Sequence, residues 1–175
     1  MIVWGIKIAG AGLILAGSFL FGTKYRTYLQ RRWAILDSIY KTLCMIREKI
    51  IHENELLVTG MLTCGKAYPV PEGNLFERFA NSMEGMDIPG EQWKKHVNDY
   101  LHQYGIYTEP LASGLHAFSD AWQHVSPESV TSSIESACGI LETEIKAAEV
   151  KQQKEGALAL KISLAIGILL IVLLI

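Results

Sequence analysis

Apolar residues are distributed unevenly along the 175-residue chain. Residues 1–22 form a nearly unbroken apolar run with one charge, Lys7, and residues 156–175 form a second run with no charge after Lys161. Between them, apolar positions recur with helical spacing, and no segment of useful length alternates with period two. Leu36, Ile39, Leu43, Ile46 and Ile50 are separated by 3, 4, 3 and 4 residues. Ile134, Cys138, Leu141, Ile145 and Ala148 are separated by 4, 3, 4 and 3. Two such stripes are able to pack in a near-antiparallel seam. Trp93, Val97, Tyr100 and Tyr104 form a third stripe, Leu111, Leu115, Phe118 and Trp122 a fourth, and Phe76, Phe79 and Met83 a short fifth. The pattern predicts an all-α fold: an antiparallel helical bundle at 23–155, between an N-terminal transmembrane helix at 1–22 and a C-terminal one at 156–175.

The boundaries carry their own chemistry. Asn74 opens an Asn-x-x-Glu start with Glu77, which resembles a capping box. Ser126-Pro127 places a cap residue before a first-turn proline. Gly65 and Gly105 sit where helices are expected to stop. No proline follows Pro127, so 128–175 reads as one long helix running from the domain into the membrane.

A spanning helix needs roughly 20 apolar residues, and each end supplies them. Lys7 costs about 2.5–3.5 kcal/mol at the bilayer centre, but its stem is able to reach the near headgroups beside Trp4. Gly5, Ala9, Gly12 and Ala16 form small-xxx-small pairs that let another helix approach closely. Lys24, Arg26, Arg31 and Arg32 flank the first run, and Lys151, Lys154 and Lys161 flank the second. Cations near span ends mark the inner side, so a two-pass cell-membrane protein with a cytoplasmic central domain is expected. The cations follow the first apolar run instead of preceding it, which does not fit a cleaved signal peptide. Ser18 stands where a lipobox would place its cysteine. Gly10-Ala11-Gly12 has Leu15 where a dinucleotide fingerprint needs a glycine.

Composition narrows the function further. The net charge of −2 argues against nucleic acid as a partner. Three scattered cysteines, Cys44, Cys64 and Cys138, suit a reducing compartment better than a disulfide framework. The five histidines show no i, i+4 pair for a metal, and there is no phosphate loop and no nucleophile elbow. The expectation is a non-enzymatic chain with no cofactor, no metal and no small-molecule substrate. An alternative from another class is a membrane enzyme or sensor assembled from His96, His116 and Glu48.

The whole chain resembles the stage III sporulation protein AB family of endospore-forming bacteria. The resemblance rests on the Gly-rich first run leading into Lys24-Tyr25-Arg26, then Arg31-Arg32-Trp33-Ala34-Ile35-Leu36-Asp37-Ser38-Ile39. It continues through Leu43-Cys44-Met45-Ile46-Arg47-Glu48-Lys49-Ile50 and in the charged helix at 141–155 that feeds the last apolar run. Trp122-Gln123-His124-Val125-Ser126-Pro127-Glu128 stands where the family usually has a Leu-Gly-x-(Ser/Thr)-Asp turn. The resemblance implies a scaffold subunit of the channel complex between mother cell and forespore, in the mother-cell-side membrane. It implies the complex's other subunits as partners, a cytoplasmic ATPase among them, with membrane lipids around the spans. It also implies a helical domain similar to the platform proteins of type II secretion and type IV pilus machines. A platform-like component of a secretion or pilus system in growing cells is the alternative within that class.

Overall fold

The computed structural model describes residues 2–53, 57–71, 73–83, 89–120 and 127–174, without the side chains of 2–9 and of a few helix ends. Every regular element among these residues is a helix. They are α1 (Ile2–Glu53), α2 (Leu57–Ala67), α3 (Leu75–Ser82), α4 (Pro89–Gln103), α5 (Glu109–Asp120) and α6 (Pro127–Leu174). The chain divides into two compact units: Met1–Trp33 with Ala147–Ile175, and Ala34–Lys146. These divisions fall inside the sequence-based boundaries at 22 and 156. Trp122 and Ser126 of the sequence reading lie outside the described residues, as does most of the segment that replaces the family's turn.

In Ala34–Lys146 the a/d stripes supply the buried faces of the two long helices. Leu36, Ile39, Leu43 and Ile46 on α1 are buried, as are Ile134, Cys138 and Leu141 on α6, while Ile50 and Ile145 are half-buried. Tyr40 meets Glu142, Cys44 meets Cys138 and Arg47 meets Glu135, so within this unit the two helices run antiparallel. The shorter helices join through aromatic rings. Trp93 of α4 stacks on Phe76 of α3 at 5.3 Å, and meets Phe79 at 5.0 Å and Phe118 of α5 at 5.5 Å edge-on. Its indole N–H donates to the Leu115 carbonyl at 2.7 Å, so the largest side chain is buried with its polar atom satisfied.

A buried polar node fixes α1 against the start of α3. Asn74 is 1 % exposed. Its Oδ1 accepts from the Phe76 amide at 2.9 Å and caps α3. Its Nδ2 donates to Ser38 Oγ at 3.0 Å, Thr42 Oγ1 at 2.8 Å and the Tyr68 carbonyl at 3.1 Å. Both hydroxyls are free to accept, because Ser38 donates to the Tyr68 carbonyl and Thr42 to the Ser38 carbonyl. The amide has two hydrogens for these three acceptors, so one of them is shared between two oxygens, and every polar atom of the buried node has a partner.

Two glycines behave differently from one another. Gly105, at φ 62°, closes α4 with its N–H on the His102 carbonyl and the Ile106 N–H on Leu101, a Schellman end. Gly65 does not stop a helix, contrary to the sequence reading. It lies inside α2, where an added Cβ would stand 2.7 Å from the Glu77 backbone nitrogen. Its role is the close approach of α2 to α3.

Candidate functional site

The other unit is built from small residues. A Cβ added to Gly22 would meet Ser163 Oγ at 2.5 Å and Leu160 Cα at 3.2 Å. One added to Gly167 would meet Ser18 Oγ at 2.6 Å. Ser18-x-x-x-Gly22 on α1 and Ser163-x-x-x-Gly167 on α6 therefore interlock, each serine against the other's glycine, in antiparallel order. Beside this seam lies an apolar groove of about 540 Å³, lined by Gly17, Phe21 and Tyr25 on α1 and Ala159, Ile162 and Ile166 on α6. Tyr25 donates to Glu155 at 2.7 Å, and Lys151 stands 3.9 Å from the same carboxylate. The bond to Glu155, then burial, raises the Tyr25 phenol above its ordinary value of 10.0, so it stays a donor at neutral pH.

Of the small-residue set read from the sequence, only Gly12 and Ala16 have their surroundings described, and they lie outside this seam. Gly12 has nothing within 4 Å of its Cβ position, and Ala16 is exposed. The surroundings of Gly5 and Ala9, like the side chains of Trp4 and Lys7, lie outside what the structure describes. At about 100° per residue, Ala16 points well away from the direction of Ser18 and Gly22. The Ser18/Gly22 pair follows the same small-xxx-small rule and was legible in it. What singles it out is a matching pair on the other helix, a signal that appears only when both runs are read together.

The membrane-flanking cations are spread around this unit. Lys24, Arg26, Arg31, Lys151, Lys154 and Lys161 are exposed, and Arg32 is half-buried. By sequence, Met1–Trp33 with Ala147–Ile175 carries eight lysines and arginines against two glutamates, and Ala34–Lys146 carries eight against sixteen acidic residues. The formal charges are thus +6 and −8. Among the described residues one helix, α6, is long and apolar enough to cross a membrane.

Ala34–Lys146 holds a polar cleft of about 210 Å³ among Phe79, Ser82, Gln92, Lys95, His96 and Asp99. Burial, with the Arg78 charge second, holds His96 below the ordinary histidine value of 6.5, while Asp99 and a bond to the Leu75 backbone oppose the shift. His96 Nε2 is buried without a partner, and Ser82 Oγ is committed to the Phe79 carbonyl at 2.7 Å. No nucleophile–base pair is formed there. His116 Nε2 is likewise buried without a partner, and Glu48 pairs with Arg47 at 3.0 Å. Among the described residues no group of three His, Cys, Asp or Glu side chains is placed to hold a metal.

A family model described as stage III sporulation protein AB matches residues 7–175. The chain belongs to the stage III sporulation protein AB family. The match takes in the first apolar run from Lys7 onward, the whole of the second, the interlocked Ser/Gly pairs and the whole acidic helical unit. A sporulation role follows from membership. No curated protein and no solved structure was found to match.

Proposed function

We propose that the protein is a non-enzymatic membrane scaffold of the sporulation channel complex between mother cell and forespore. Two spans anchor it in the mother-cell-side membrane, and the acidic helical unit, on the cytoplasmic side, docks a cytoplasmic ATPase and the complex's other subunits. The observation that carries this reading is the division of charge between the two units, +6 against −8. Cations cluster beside the apolar runs, where the inner membrane surface attracts them. The acidic unit is repelled by that same surface and is complementary to a basic partner. The interlocked Ser18/Gly22 and Ser163/Gly167 pairs support a two-span hairpin, because close backbone approach is how helices associate in lipid.

The test is a clean deletion in the native endospore former, scored for heat-resistant spores alongside growth and secretion. Loss of spores after engulfment with normal growth and secretion is expected, and co-purification of the channel subunits with a tagged copy completes the test. A secretion or piliation defect with normal sporulation would move the protein to a machine of growing cells. Membrane-impermeant labelling of cysteines placed at Gln30 and Gln153 gives the topology. Both sites are expected to be protected in intact cells.

A further inference from the structure

We propose that Cys44 and Cys138 form an intramolecular disulfide when the protein meets a peroxide, covalently tying α1 to α6 within Ala34–Lys146. The two Sγ atoms stand 3.9 Å apart on facing helices. They sit in the middle of a fixed register. One turn to one side Tyr40 donates to Glu142 at 2.9 Å, and one turn to the other Arg47 lies 3.7 Å from Glu135. Each advance along α1 is matched by an equal step back along α6, so the thiols are held opposite one another and cannot slide apart. A disulfide needs the sulfurs at about 2.05 Å, and rotation of the two side chains about χ1 is the movement available to close the gap.

The two sulfurs have different surroundings. Cys44 is half-buried, whereas Cys138 is 9 % exposed. Burial and the neighbouring Cys44 push the Cys138 thiol up to about 12, so it is protonated at neutral pH. Cys44 is therefore the residue that meets the oxidant. Its thiolate attacks one peroxide oxygen, the O–O bond breaks, and a sulfenic acid forms as hydroxide leaves and is protonated to water. Cys138 sulfur then attacks the Cys44 sulfur, its proton passes to the departing oxygen, and the S–O bond breaks to release water. Two thiols and one hydrogen peroxide become one disulfide and two waters. In a reducing compartment the bond is reversed by small thiols, so the pair is reduced at rest and responds to oxidative load. Cys64, fully buried on α2, provides an internal reference.

The experiment uses the full-length protein in lipid nanodiscs, exposed to hydrogen peroxide, quenched, and alkylated before intact-mass and peptide mapping. One alkylated cysteine per chain, Cys64, with a reducible link between the peptides of Cys44 and Cys138, is expected. Cys44→Ser and Cys138→Ser each remove the link, and Cys64→Ser keeps it, with helical content by circular dichroism checked for all three. Three alkylated cysteines, a link through Cys64 or between two chains, or over-oxidised Cys44 beside an alkylated Cys138 would overturn the proposal. The outcome does not depend on the scaffold reading, because it asks only about thiols within one unit.

Discussion

In Ala34–Lys146 the largest side chains lie deepest: Trp93, Phe76 and Phe118 are each 0 % exposed. In the other unit the order is reversed. Leu13, Phe21 and Leu173 are 75, 72 and 77 % exposed, while Gly22 and Gly167 sit at the closest approach of the two helices. On the proposed two-span reading, the contrast follows from the solvent. In water, burial of apolar area contributes about 25 cal/mol per Å², so a fold gains by hiding its biggest rings. In lipid, a leucine is as well solvated outside as inside, and what remains is close packing of backbones over small residues. On that reading one chain uses both rules, and the change of rule falls where the two units divide.

The comparison is broken most sharply at Trp93. Trp93→Ala removes a ring that touches three others and should cost about 3–5 kcal/mol, read as a lower denaturation midpoint of the helical unit. Spin labels spanning the α1–α6 pair within the other unit should report an unchanged distance. A loss of both together would mean that the two units are one cooperative body.

Asn74→Ala strips the cap from α3 and leaves the Ser38 and Thr42 oxygens and the Tyr68 carbonyl without their shared donor. A loss of roughly 2–4 kcal/mol is expected, the sum of a cap and a buried unsatisfied group. Asn74→Asp keeps the cap but turns the donor into an acceptor facing three oxygens, so it should fare no better than alanine. Equal stability of Asn74→Asp and the parent would remove the node from the account.

At the interlocked pairs, Gly22→Leu should push the helices apart at a cost of about 1–3 kcal/mol. Gly22→Ala should be milder, because the nearest atom is a rotatable hydroxyl. Distances between spin labels at Leu13 and Leu169 check this, and a large substitution without effect there would show that the seam does not hold the pair. Leucine at the already open Gly12 serves as the control.

Acid provides a finer probe. The folded His96 resists protonation, while the unfolded chain takes up its proton near 6.5. Protons therefore favour the unfolded state, and stability should fall as pH drops below 6.5 until the lowered folded value is passed. Denaturation midpoints of the parent and of His96→Gln across this range should diverge on the acid side only. The smallest effect belongs to Tyr25→Phe, which removes one part-buried bond to Glu155. It should leave the helix pair intact and remove one late-titrating phenol from the ultraviolet titration curve of the parent.

Much of the helical unit was legible from spacing. The Leu36–Ile46 and Ile134–Leu141 stripes mark the buried faces because burial in water imposes a 3.6-residue period. The Asn74 start was legible as a cap because the acceptor precedes an apolar pair. Its second function, as donor to Ser38 and Thr42, was not, since no local rule links positions 36 and 32 residues apart. Helix α2 was missed for a related reason. Gly60, Gly65 and three β-branched residues at 58, 59 and 63 lower its local helix preference, and only packing against α3 accounts for it. In the other unit, small residues recur on several faces of α1, so one run could not say which face is used. That information lies in the partner helix.

The division of charge also has a consequence at the bench. An isoelectric point near 6.2 describes the average of a +6 body and a −8 body, and neither of them singly. At neutral pH the detergent-solubilised protein should be held by cation and anion exchangers alike, through its two terminal segments on the one and its central segment on the other. The salt needed to release it from each resin would then measure each unit on its own terms.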